Sequence, residues 1–322
     1  MKLLVLGGTI FLGRHVVEAA LAAGHDVTML TRGRHGTALT PQVDRLVGDR
    51  EGELSALADR AFDAVIDCSG YTPDHVTRAT QALRERAGHW VFVSTISVNA
   101  GFPPGRVYDE TAPLAAGHEG YGALKARAEE ALLAATNGRA AIVRPGLIVG
   151  PHDPTGRFTY WPRRVAQGGD VLAPGRPERP VQFIDARDLA AWCVALAQAR
   201  TAGTFNAVGP DVSMRELLDI CREVAASDAR WRWVDDDALL ALGVTPWTGL
   251  PLWLPESDPA FGGMLLADAA RARAAGLRTR HARATIADTL SWTPDEDDLA
   301  AARPVATLTP EREAEILASL PA

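Results

Sequence analysis

The stretch Met1–His15, MKLLVLGGTIFLGRH, limits what this chain can fold into more than any other. Leu3–Leu6 is a short apolar run, Gly7 and Gly8 break it, and a helical pattern runs from Arg14 to Ala23. A buried strand, a glycine turn and a helix start are the parts with which a parallel sheet grips a dinucleotide. Glycine lets the backbone turn tightly and approach a pyrophosphate with no Cβ in the way. The helix start offers free N–H groups and a partial positive charge. The same turn also joins a strand to a helix with no ligand at all, so this stretch alone does not decide between the two.

The glycines depart from G-x-x-G-x-x-G: Gly7 and Gly13 fit, and Ile10 stands at the middle position. The rest of the chain supplies an alternating pattern. Val27–Leu30, Ala64–Asp67 and Trp90–Ser94 read as strands and Leu46–Asp49 as a strand and turn, with helical patterns over Leu54–Arg60 and Asp74–Ala87 between them. Strands alternating with helices predict an α/β protein built on a doubly wound, Rossmann-type parallel sheet. Ligands of such sheets gather at the carboxyl ends of the strands. That rim collects Gly7, Thr9, Ile10, Phe11, Leu12, Arg32, Asp49, Cys68, Ser69, Gly70 and Thr95. Arg32 lies nineteen residues after Gly13, where an NAD site commonly has an acid for the ribose 2′-OH. Two arginines, Arg32 and Arg34, stand there instead, and a guanidinium suits a 2′-phosphate. NADP(H) is therefore favoured over NAD(H), against the alternative of a solvated basic turn.

A chain of 322 residues allows one large domain or two modest ones. The net charge of −7 argues against general affinity for nucleic acid. Cys68, Cys193 and Cys221 are odd in number and widely spaced, which suggests a reducing compartment and no metal cluster, so no metal is assigned. Gly7 and Gly8 interrupt the apolar start, which excludes a signal peptide, and no run of about 18 apolar residues would span a membrane. A cytoplasmic protein is the expectation.

Lys2 and Lys125 are the only lysines among 33 cationic residues. A lysine kept inside a chain that otherwise uses arginine invites a chemical reason. Lys125 ends Tyr121-Gly122-Ala123-Leu124-Lys125, at the start of a helix reading on through Leu133. Four residues apart, the phenol and the amine share a helical face. A cation beside a phenol favours the phenolate and is expected to move Tyr121 from about 10 toward working pH. A hydroxyl from Thr95, or from Ser97, would share the substrate oxygen, which makes a general acid/base for interconverting a carbonyl and an alcohol.

GGTIFLG, VSTIS, YGALK and RPGLIVGP occur in an order and spacing that resemble the extended and atypical short-chain dehydrogenase/reductase superfamily, the NAD-dependent epimerase/dehydratase group. The likeness runs from Lys2 to about Trp292. It implies that Thr95 and Tyr121 do the proton chemistry and that Lys125 also holds the nicotinamide ribose. It further implies that Pro145 and Gly146 line the nicotinamide, and it is compatible with a homodimer. Ile10 resembles the start of an atypical branch that includes chloroplast stem-loop RNA-binding proteins, some of which would lack redox chemistry.

Ala141–Val149 reads as a sixth strand, with Arg144 open to a structural ion pair and His152 a lone histidine in the turn beyond. From Asp153 to Pro180 the chain turns rich in Pro, Gly, Arg and aromatics and reads as a cap. Its Arg157, Arg163, Arg164, Arg176 and Arg179 would meet an anionic group or form surface and inter-lobe ion pairs. Tyr160 and Trp161 would line a pocket or a core. The expected organisation is a discontinuous NAD(P)-binding domain over 1–155 and 181–208, with a substrate lobe over 156–180 and 209–322. Thr245–Glu256 is a Pro-interrupted loop with two tryptophans, a substrate wall or a core plug. The tail Thr309–Leu320 reads as a short charged helix with no assigned function. The reading is hydride transfer between nicotinamide and a secondary alcohol or ketone on a sugar, a nucleotide sugar or a carbonyl metabolite. An epimerase or dehydratase with transient oxidation is the alternative, as is a non-catalytic protein that senses NADP(H) or binds RNA.

Overall fold

The computed structural model describes residues 1–34, 42–209 and 211–320. Its strands are β1 (Lys2–Leu6), β2 (Asp26–Thr31), β3 (Asp44–Val47), β4 (Ala64–Asp67), β5 (Trp90–Val93), β6 (Ala140–Pro145), β7 (Leu147–Val149), β8 (Asp170–Pro174), β9 (Pro180–Val181), β10 (Phe183–Asp185), β11 (Gly203–Ala207), β12 (Val212–Ser213) and β13 (Arg230–Val234). Seven of them form one parallel sheet in the order β11-β6-β5-β4-β1-β2-β3. The chain leaves β1 toward β2 and β3, then returns to the other side at β4. The order reverses beside β1, where a doubly wound sheet opens its crevice.

The central strands β1, β4, β5 and β6 are buried on both faces, so they are largely apolar and the period of two shows only in which layer each residue enters. Leu3 and Val5 face the layer holding Val16 and Ala20 of α1 (Leu12–Ala22) and Leu189 and Cys193 of a helix at Ala186–Ala199. Leu4 and Leu6 face the layer holding Leu83 of α2 (Pro73–Leu83) and Leu132 of α3 (Tyr121–Ala135). Ile66 and Val65, and Val91 and Phe92, split the same way.

Two local expectations are corrected. Leu54–Arg60 is not a helix: only a 3-10 turn forms, over Ser55–Leu57, because Leu57 alone is buried there and no apolar stripe exists to dock a longer one. The predicted strand Ala141–Val149 is two strands. Gly146 has Val208 so close that a Cβ would sit 2.8 Å from its side chain, and the chain bends out of the sheet there. The outer piece, β7, pairs with β10 instead.

That pair leads into a second core around Trp161, Trp253, Phe158, Leu217 and Ile286. β8 pairs with β13 and β9 with β12. Trp161 and Trp253 are wholly buried, and their indole N–H groups donate to Pro251 O at 2.7 Å and Asp236 Oδ1 at 2.8 Å. Trp253 thus plugs this core and is no substrate wall. Among the cap arginines, Arg164, Arg176 and Arg179 pair with Glu313, Glu256 and Asp236. The C-terminal helix Pro310–Ser319 has a structural role: its buried Glu313 accepts from Leu172 N at 2.9 Å and holds Arg164.

Candidate active site

A groove of about 520 Å³ runs along the carboxyl rim of the sheet. Its floor and walls include Gly7, Thr9, Ile10, Phe11, Leu12, Arg32, Asp49, Cys68, Ser69, Tyr121 and Lys125, so most of the predicted residues come together. Ile10 forms part of the wall and leaves the groove open.

The glycines at its head are demanded by packing. Gly7 has φ +87°, and a Cβ on it would lie 2.6 Å from Ser69 Cβ. A Cβ on Gly13 would lie 1.9 Å from Gly7 O, so strand exit and helix start touch backbone to backbone. Phe11 precedes α1 with φ 43°, a costly conformation for a residue with a Cβ. No side chain caps α1 and no acid lies in its first turn, a start that suits an anion.

Arg50 is a groove residue that sequence reasoning missed. It is buried, donates to both oxygens of Asp67 at 2.6 and 2.7 Å, and reaches Ser69 Oγ at 3.2 Å and His75 O at 2.9 Å. Burial alone would raise the Asp67 carboxyl, but the Arg50 guanidinium outweighs it and holds the group below its ordinary value. The signal was an acid closing an otherwise apolar strand, AVID, with Asp49-Arg50 after the strand three places away in the sheet.

At the other end, a Cβ on Gly122 would lie 2.0 Å from Ser97 O, so the glycine of YGALK lets α3 begin directly on the turn after β5. This puts Tyr121 beside the Thr95 hydroxyl. Thr95 Oγ1 also accepts from Ser97 N at 3.1 Å. Tyr121 is half-exposed, and Tyr71, which sequence reasoning also missed, shares the groove wall with it.

The expected pairing of Lys125 with the phenol is not made. Its amine runs beneath the helix, 3% exposed, and donates to Gly70 O and Val93 O at 2.7 Å each, with Nζ 4.1 Å from the Phe92 ring centre. A lysine on a helix leans back toward the N-terminus, and here that direction ends on two carbonyls at the mouths of β4 and β5. Burial, opposed by Asp67 and Glu129, lowers its pKa to about 8. Tyr121 is accordingly not pushed toward phenolate. Partial desolvation and the Tyr71 phenol raise it, against the Thr95 hydroxyl and Arg157, so it keeps its proton at neutral pH.

Three predicted residues stand away from the groove wall: Gly70, Pro145 and Thr95, the last buried behind Tyr121. Gly70 is buried against Phe92 and contributes its carbonyl to Lys125. Pro145 is buried at the end of β6, and Ile148 forms the wall in that region. Arg144 makes the structural ion pair left open by the sequence: it holds Glu129 at 2.6 Å, and Ser94 Oγ donates to the same carboxylate.

Three features fit a dinucleotide: the uncapped start of α1, the close-packed glycines beneath it, and a rim carrying Arg32, Arg34, Arg50 and Arg303. Gly7, Thr9–Leu12 and Arg32 would hold it.

Residues 3–208 match the NAD dependent epimerase/dehydratase family. Among characterised proteins, the chloroplast stem-loop binding protein of 41 kDa b of Arabidopsis thaliana is 24% identical over 242 residues, 69% of this chain and 59% of the relative. The chain therefore spans about three-fifths of that relative's length. Three solved structures share the fold. A putative epimerase from Burkholderia cenocepacia J2315 is 20% identical with a TM-score of 0.67, over 90% of this chain and 96% of that one. The Bordetella bronchiseptica enzyme WbmH, in complex with NAD+, is 18% identical with a TM-score of 0.66, over 90% and 97%. UDP-glucose 4-epimerase from Thermotoga maritima, with UDP-glucose, is 17% identical with a TM-score of 0.67, over 91% and 98%.

Proposed function

We propose that this chain, which belongs to the NAD dependent epimerase/dehydratase family, is an NAD(P)-dependent enzyme that interconverts a secondary alcohol and a ketone, with NADP(H) preferred over NAD(H). The observation that carries this is the Tyr121 phenol beside the Thr95 hydroxyl at the far end of the groove from the uncapped helix start. When bound, the nicotinamide supplies the hydride acceptor or donor. The protein handles the proton. Thr95 donates a hydrogen bond to the substrate oxygen and orients it. Tyr121, protonated at neutral pH, gives its proton to that oxygen in the reductive direction and takes it back in the oxidative one. Lys125 ties the exits of β4 and β5 together and sets a positive charge under the floor.

The same proton traffic serves a net reduction, and it serves an epimerisation or dehydration in which the oxidation is transient. The substrate class is a sugar, a nucleotide sugar or a related carbonyl metabolite. The preference for the 2′-phosphate rests on Arg32 and Arg34 lining the groove with no acid between them.

Tyr121→Phe tests the reading. The variant should bind NADPH with the wild-type dissociation constant and lose about 10²-fold or more in turnover. Wild-type protein that binds cofactor and turns over no alcohol, ketone or nucleotide sugar would instead mark a non-catalytic binder.

A further inference from the structure

We propose that the segment Asp295–Val305 is a strap beside the groove that delivers Arg303 to the pyrophosphate of the bound dinucleotide; this rests on the reading of the groove as a dinucleotide site. The segment lies beyond the part of the chain that matches the family, residues 3–208.

Its start is clasped to α1. Arg14, in the first turn of that helix, reaches Asp295 Oδ2 at 3.0 Å and His152 Nδ1 at 3.0 Å. The Asp298 carboxylate sits 2.9 Å from the same histidine nitrogen. The His152 ring packs against both Trp292 and His15, with centroids 5.6 and 5.5 Å apart. His152, Asp295 and Asp298 bring three ligand-type atoms within 4.8 Å of one another. Arg14 already supplies the cation among them, so the cluster works as a clasp between α1 and the C-terminal segment.

The far end of the strap is stitched to the loop after β7. Arg303 N–H donates to Pro154 O at 2.7 Å and Val305 N–H to Thr155 O at 3.1 Å. Pro154 and Arg303 then form groove wall together with Gly7–Leu12 residues at the start of α1. The backbone of Arg303 is thus held, while its exposed guanidinium makes no hydrogen bond or ion pair with a described residue. Its charge, like that of Arg32, is felt by the Tyr71 phenol inside the groove. A planar fork of donors fixed at the wall of a groove headed by an uncapped helix start is suited to a diphosphate. The clasp ties the strap to the helix start, whereas Arg32 and Arg34 follow β2, the end assigned to the 2′ position. The pyrophosphate is therefore its partner.

The experiment is titration of NADH and NADPH into wild type, Arg303→Ala, Arg303→Lys and Asp298→Ala, followed by quenching of tryptophan fluorescence. Arg303→Ala should weaken both cofactors by about tenfold, equally, as expected for one charge-assisted contact. Arg303→Lys should recover part of the loss, since it keeps the charge and lacks the fork. Asp298→Ala, which loosens the clasp, should weaken both cofactors to a lesser degree. In wild type, hydrogen exchange of the Arg303 and Val305 amides should slow when NADH is added. Arg303 is exposed, so its variants should melt with the wild type. Unchanged dissociation constants in Arg303→Ala, or a loss confined to NADPH, would overturn the assignment. A wild type that binds neither cofactor would bring down the dinucleotide reading itself, and the strap with it.

Discussion

Replacing Lys125 by methionine tests whether its amine titrates from a buried position. The amine is 3% exposed and held at about 8, against an ordinary 10.5, because burial disfavours its charge more than Asp67 and Glu129 favour it. The folded value lies below the unfolded one, so between the two the unfolded chain binds the extra proton. Below about pH 8 folding carries the full penalty, and the penalty fades as the pH rises toward 10.5. At about 1.36 kcal/mol per pH unit, the cost is about 3 kcal/mol at pH 7 and about 1 kcal/mol at pH 9.5. Methionine does not titrate. Other groups ionise alike in both proteins and cancel in the difference. Urea unfolding of wild type and Lys125→Met, followed by tryptophan fluorescence at pH 7 and 9.5, should therefore show the stability difference moving in favour of wild type by about 2 kcal/mol. The carbonyls of Gly70 and Val93 lose their donor in the variant at both pH values, which offsets the curves without changing this slope. A difference that stays constant or moves the other way would refute a buried, titrating amine, and with it the positive charge placed under the groove floor.

Arg32→Ala should weaken NADPH about tenfold or more while leaving NADH nearly unchanged, measured by the same fluorescence titration. Equal loss for both cofactors would show that Arg32 does not read the 2′ position. Glu129→Ala should cost about 3–5 kcal/mol in urea unfolding, because it strands the buried Arg144 guanidinium and removes the acceptor of Ser94. A loss below about 1 kcal/mol would place that pair among the weakly coupled surface contacts instead.

The alternation of apolar runs with helical patterns made the Rossmann-type sheet legible, because the central strands, covered on both faces, are largely apolar. The run Ala141–Val149 misled because a mostly apolar stretch carries no mark of where it leaves one sheet for another pairing; Gly146, between β6 and β7, packs closely on Val208, which lies far along the chain. Leu54–Arg60 misled differently. A helix needs a partner surface, and the sequence does not say whether one waits.

The strand–glycine–helix head, the tyrosine at the start of α3 and the rim of candidate residues followed from the chain alone, since each depends on neighbours only a few places away. Where the Lys125 amine points, that Arg50 grips Asp67, and that Arg303 comes back from the far end of the chain to the groove were decided by tertiary structure. The physical reason is range. Periodicity and turn chemistry act over one or two turns of backbone, while the partner of a buried charge is whichever carbonyl or carboxylate the finished packing brings within hydrogen-bonding distance.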